Sequence, residues 1–167
     1  MDEPNTIENE VYKTLRELDL LHSISDANLF ELSKLGEQVQ FPAGTIVFRN
    51  HEPATHCYVI TDGRVSLEVC DSAAGCAQIL TVGNGELLGW SPVLGLSKLT
   101  ATAKTNTATQ AIKFNGQQIV DLCEQRPEFG YQFMRCTALA LARRLTATRL
   151  QLLDVFRGEA WTTGQSE

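Results

Sequence analysis

The residues best placed to do chemistry in this 167-residue chain sit mostly in one stretch, GELLGWSPVLGLSKLTATAKT, from Gly85 to Thr105. Gly85 can adopt a backbone shape that a side chain would forbid. Beside it, the Glu86 carboxylate can accept hydrogen bonds from a hydroxyl. Ser91-Pro92 followed by Gly95 reads as a one-turn helix with a capping hydroxyl, a first-turn proline and a terminating glycine. The free amides at the start of such a turn suit an anion. Without further context, Gly-Glu is equally a tight turn and the short helix a connector.

Elsewhere the reactive side chains are sparse. His22, His51 and His56 have no Ser or Cys partner in a nucleophile-bearing turn, so no catalytic residue is assigned. His56-Cys57 and Cys70 with Cys76 lack zinc-ligand spacing, and no metal site is assigned. Cys70 and Cys76 flank an expected hairpin tip and could meet across it, which keeps redox sensing as a second hypothesis. Unpaired, half-buried thiols are the preferred reading. The five cysteines, Cys57, Cys70, Cys76, Cys123 and Cys136, are odd in number and scattered. That usage suits a reducing cytoplasm better than a disulfide framework.

The elements that must position these residues follow from hydrophobic spacing. Ile7, Val11, Leu15 and Leu18 recur at helical steps, predicting a helix from Thr6 to about Leu21. In SISDANLFELSKLG, Ser25 or Asp26 caps a short helix whose apolar face is Leu29, Leu32 and Leu35, and Gly36 stops it. FPAGTIVFRNHEPATHCYVITDGRVSLEV then gives short Val, Ile, Tyr and Phe runs broken by turn residues, the grammar of closely spaced antiparallel strands. Asp62-Gly63 predicts a hairpin, and a second joins VSLEVC to AQILTV across DSAAG. KLTATAKTNTATQAIKF reads as strand, ending near Asn115. NGQQIVDLCEQ is a short helix, and Pro127 opens a long one.

Along that long helix, Met134, Ala138, Leu141, Leu145, Thr148, Leu152 and Val155 step by four and three alternately. This is a seven-residue seam of the kind that pairs helices. Gly158 is expected to end the helix and the rest to fray. The division is therefore residues 1–21, an N-terminal helix with a disordered start; 22–126, strands with short helices; 127–157, the long helix; and 158–167, a tail.

The bulk numbers bound the class. With 43% hydrophobic and 20% charged residues the chain suits one globular domain with a real core. No apolar run approaches a membrane span, and the acidic start resembles neither a signal peptide nor a transit segment. The expectation is a cytoplasmic protein. A net charge of −6 without a basic cluster weakens direct nucleic-acid binding.

In this order, FPAGTIVFRNHEPATHCYVITDGRVSLEV, the Gly-Glu loop and LARRLTATRLQLLDVF resemble the cyclic nucleotide-binding domain of the Crp/Fnr-like sensor family. The resemblance runs from about Leu18 to Phe156. It implies an α+β, mainly β fold: an antiparallel β-roll (a jelly-roll-like double-stranded β-helix) with N-terminal helices and a long C-terminal dimerisation helix. It implies a sensor rather than an enzyme, a homodimer, and cAMP or cGMP as effector.

The resemblance also places the ligand at Gly85, Glu86, Leu87 and Leu88, with Thr148 at the position whose hydroxyl contacts the purine and Arg149 beside it. The family loop supplies a phosphate-binding arginine with a small neighbour. Counting back from the Thr-rich strand puts these at Leu99 and Thr100; counting forward from Glu86 puts them near Leu96 and Ser97. Neither finds arginine, and Lys98 between them lacks the planar fork. A charge-assisted contact is worth about 1.5–3 kcal/mol, about one to two orders of magnitude in affinity. Cyclic nucleotide binding is therefore expected to be weak or lost.

Arg143 and Arg144 read most simply as solvated surface charges. The family's transcription factors carry a helix-turn-helix after the long helix, and the residues after Phe156 are too few for one. As a whole product the chain would signal through a protein partner or its dimer interface. As a fragment it would be the sensor part of a transcription regulator. The rival reading is a ligand-free dimerisation or docking module.

Overall fold

The computed structural model describes residues 6–71, 73 and 75–163, so the expected start and the end of the tail lie outside the described residues. Helix α1 (Thr6–Arg16) is shorter than its apolar pattern predicts, and a 3-10 turn (Asp19–Leu21) follows. The break has a packing reason. On one continuous helix Leu21 would point about 120° away from Leu15; with the chain broken at Leu18, both side chains are buried in one core. Helix α2 (Asp26–Ser33) is capped by the Ser25 hydroxyl, which accepts from the Asn28 amide.

Among the described residues eight strands follow: β1 (Glu37–Phe41), β2 (Ile46–Phe48), β3 (His56–Asp62), β4 (Val65–Asp71), β5 (Gly75–Val82), β6 (Leu87–Leu88), β7 (Thr102–Thr105) and β8 (Thr109–Asn115). They form two four-stranded antiparallel sheets, β1-β8-β3-β6 and β2-β7-β4-β5. The sheets close on Phe48, Tyr58, Ile60, Val65, Val82, Leu88 and Leu99, the interior of a β-roll. Helices cover the other face of the first sheet, burying Val59, Leu87, Ile112 and Phe114 with Leu29 and Phe133. This explains the unbroken apolar run CYVI: Cys57 and Val59 face the helices while Tyr58 and Ile60 face the roll.

Two strand expectations change. Asp62-Gly63 is no hairpin, because β3 and β4 belong to different sheets and pair elsewhere. The turn is a corner between sheets. Gly63 has φ +101°, and a Cβ there would lie 2.6 Å from the Ala108 carbonyl, so glycine is required by the close crossing. KLTATAKTNTATQAIKF likewise splits into β7 and β8, one for each sheet. The expected β4–β5 hairpin forms.

Asn115 caps α3 (Gly116–Gln125), its side chain accepting from the Gln117 and Gln118 amides. Helix α4 spans Pro127–Thr163 and passes through Gly158, which does not end it. One glycine costs a helix only about 1 kcal/mol, too little to stop so long an element.

Candidate functional site

The β5–β6 turn is built around glycine and glutamate. Gly85 takes φ +77° and donates to the Ile60 carbonyl at 2.7 Å. The Glu86 carboxylate folds back to accept from the Gly83 amide at 2.7 Å, so it braces its own turn. Beyond it, β6 crosses into the other sheet, with Leu87 toward the helices and Leu88 in the roll.

Among the described residues, one cavity adjoins this turn and another lies beyond β6. An inner one, about 170 Å³, lies in the roll and is walled by Phe48, Leu67, Ile79, Leu80, Trp90 and Leu99, with Ser91 and Thr100 as polar lining. Ile79 and Leu80 are sequence neighbours that both reach it. A bulge explains this: Leu67 pairs Leu80 and Glu68 pairs Gln78, leaving Ile79 as the extra residue. An outer cleft, about 350 Å³, lies between the Glu17–Leu20 segment, the Gly85–Leu87 turn and α4.

Arg144 lines both cavities. Its guanidinium donates to the Leu87 carbonyl, tying α4 to β6. Burial pushes the guanidinium below its usual pKa, while the Glu86 carboxylate opposes this by favouring the charged form. Among the described residues lining the inner cavity, Arg144 carries the only formal charge. It is therefore no solvated surface charge, contrary to the reading of the sequence. A signal was present: Phe129, Phe133, Thr137, Ala140 and Arg144 form a second helical stripe, whose first three members are buried.

The other expected site residues divide. Gly85, Glu86 and Leu87 line the outer cleft; Leu99 and Thr100 line the inner cavity. Leu99 is only 5% exposed, and its backbone bonds on both sides to the His51–Glu52 corner. Its side chain is part of the roll core. Ser97 and Lys98 are exposed and line neither cavity; Lys98 bridges Pro53 through its backbone. Thr148 and Arg149 are exposed and also line neither, and the Thr148 hydroxyl donates to the Arg144 carbonyl at 2.9 Å. The Ser91–Gly95 segment is a succession of turns rather than a helix, with the Ser91 carbonyl accepting from both Leu94 and Leu96. Pro92 packs so closely on Gly116 that a Cβ there would lie 2.5 Å from it. The short loop is thereby fixed against the start of α3.

Along the expected seam, Leu145 and Leu152 are exposed, Met134 and Leu141 are half-buried, and the Val155 side chain lies outside the described residues. Cys70 and Cys76 are joined as a disulfide rather than left as thiols. The β4–β5 register makes them direct cross-strand partners, 3.9 Å apart at Cα.

Comparison with known proteins gives four findings of one kind. The model of the cyclic nucleotide-binding domain matches residues 38–126. A CRP-like cAMP-activated global transcriptional regulator of Mycobacterium tuberculosis is 27% identical over 137 residues, 81% of this chain and 59% of the relative, so the chain spans less than two thirds of its length. Among solved structures, a putative cyclic nucleotide-binding protein from Geobacter metallireducens superposes with TM-score 0.71 at 22% identity, covering 80% of this chain and 96% of that one. A cyclic nucleotide-binding domain from Methylobacillus flagellatus gives 0.76 at 15%, covering 89% and 84%.

Proposed function

The chain belongs to the cyclic nucleotide-binding domain family, and from that premise we propose that it is a regulatory sensor in which α4 feels a small anionic effector through Arg144. The observation that carries this reading is the charge count of the inner cavity. Its one formal charge among the described lining residues comes from α4, not from the loop. An anion seated there pairs with a group mounted on the moving element. Binding then favours one position of α4 by its differential affinity for the two positions.

Cavity size supports the coupling. At about 170 Å³ the inner cavity falls below the roughly 300 Å³ that a drug-sized ligand needs. Arg144 is shared with the outer cleft, so withdrawing its side chain joins the two spaces. A nucleotide-sized effector enters by displacing the Arg144–Leu87 contact and re-using the guanidinium. cAMP and cGMP remain the candidate effectors, with affinity reduced because Leu99 sits in the core and Ser97 and Lys98 point elsewhere. The signal passes to a second copy through α4, to a protein partner, or to a DNA-reading segment in a longer product.

A second reading, a ligand-free dimerisation module, is favoured by Leu99 itself: the core uses the space near which a phosphate would need a cation. One experiment separates the two. Calorimetry of cAMP and cGMP, at near-physiological salt, is run on the wild type and on Arg144→Leu. Micromolar binding that the variant loses supports the sensor. Neither heat nor a thermal shift at millimolar nucleotide sinks the nucleotide reading and leaves the interaction module.

A further inference from the structure

Of the five cysteines, two differ from the rest in both access and geometry. Cys57 is buried, and burial pushes its thiol up to about 12, so it holds almost no thiolate near neutral pH. Burial also raises Cys123, and Cys136 is buried with its sulfur in hydrogen-bond contact with the Ser23 hydroxyl. Cys70 and Cys76, by contrast, are exposed and stand opposite each other near the β4–β5 tip.

Their position gives the bond leverage. Among the described residues strand β5 is an edge strand, paired only with β4, and its residues from Gly75 to Ile79 are exposed. The ladder is interrupted at Ile79. Between that bulge and the tip, the β4–β5 ladder and the Cys70–Cys76 bond both hold the arm. On the other side of the bulge, Leu67 and Leu80 wall the inner cavity, with Ile79 at the bulge itself.

We propose that Cys70 and Cys76 form a reversible thiol-oxidation site whose redox state sets how firmly β5 is held against β4. The co-reactant is a low-molecular-weight disulfide. One thiolate attacks it, forming a mixed disulfide and expelling one thiol. The second cysteine then attacks the mixed disulfide at the protein sulfur and expels the other. Two protein thiols are oxidised, and the small disulfide is reduced to two thiols. In the dithiol form the outer arm of β5 opens about the bulge; in the disulfide form it is clamped, and the cavity wall with it. The inference requires no effector to bind.

The test uses the full chain, equilibrated once in excess small dithiol and once in a buffer of reduced and oxidised glutathione. Alkylation with intact mass counts thiols, and amide hydrogen exchange reads β5. The expected result is two fewer alkylated thiols in the oxidised sample, with exchange of the Gly75–Val82 amides slowed about ten-fold. The Cys70→Ser, Cys76→Ser double variant should exchange like the reduced protein in both buffers. Failure of the bond to form in the glutathione buffer, or equal β5 exchange in the two states, overturns the proposal.

Discussion

The Arg144 guanidinium donates to the backbone carbonyl of Leu87, so one side chain fastens the C-terminal helix to the strand that leaves the Gly85–Glu86 turn. That contact is the physical link on which the proposed coupling between the turn and α4 rests. Removing the donor leaves a buried carbonyl short of a partner. Arg144→Leu is therefore expected to cost about 1–3 kcal/mol, a drop of several degrees in thermal midpoint. Arg144→Lys should recover only part, because an ammonium is more strongly hydrated than a guanidinium and costs more to bury. Thermal melts of the three proteins decide it, and an unchanged Arg144→Leu midpoint would show that the contact does not hold α4.

Leu99 gives the second expectation. As a core residue it is a packing group, so Leu99→Ala should lose about 2–5 kcal/mol. Leu99→Arg should be worse, since it places an unpaired charge among Phe48, Leu80 and Leu88. Ser97→Arg, at an exposed position, should stay within about 0.5 kcal/mol of wild type. Urea denaturation of the three variants measures this. A stable, folded Leu99→Arg protein would mean that the pocket can accept a cation there after all.

Much of this molecule is written locally. The caps at Ser25 and Asn115, the apolar faces of α1 and α2, the β4–β5 hairpin and the opening of α4 at Pro127 each depend on residues within a few positions. What the sequence conceals is which sheet a strand joins. Asp62-Gly63 has hairpin chemistry, yet β3 pairs with β6 and β8 while β4 pairs with β5 and β7, because closing a roll buries more apolar surface than a single hairpin does. Arg144 was hidden for a related reason. Its helix carries two stripes, and the regular seam of Met134, Leu141 and Leu145 stands out more than the stripe from Phe129 that faces the roll.

Histidine supplies a pH dependence. Burial holds the His56 imidazole below its usual pKa, Lys113 adds to this, and Glu37 partly opposes. The folded protein thus prefers the neutral ring, and below about pH 6.5 the unfolded chain takes up the extra proton. Stability from this group is full above that value and is lost as pH falls through the lower folded pKa. His56→Gln should flatten the decline in thermal midpoint between about pH 7.5 and about pH 5.5. The same slope in the variant would assign the decline to other groups.

The far half of α4 carries the last prediction. Leu145, Leu152 and Phe156 are 52%, 55% and 60% exposed, and Leu139, Leu150 and Leu153 form a neighbouring row. So much apolar surface on a single helix is costly to leave in water. Leu145, Thr148 and Leu152 keep the seven-residue register that packs two helices at about 20°. Thr148 is no obstacle, for its hydroxyl is already satisfied by the Arg144 carbonyl and leaves its methyl for packing. The chain is expected to be a dimer by light scattering, and Leu145→Glu with Leu152→Glu a monomer. Both side chains lie outside the two cores of the protomer, so the β-roll should remain folded in the monomer, with its circular dichroism unchanged. A wild-type monomer at the same concentration would remove the seam; a double variant that stays dimeric would move the contact to the neighbouring row.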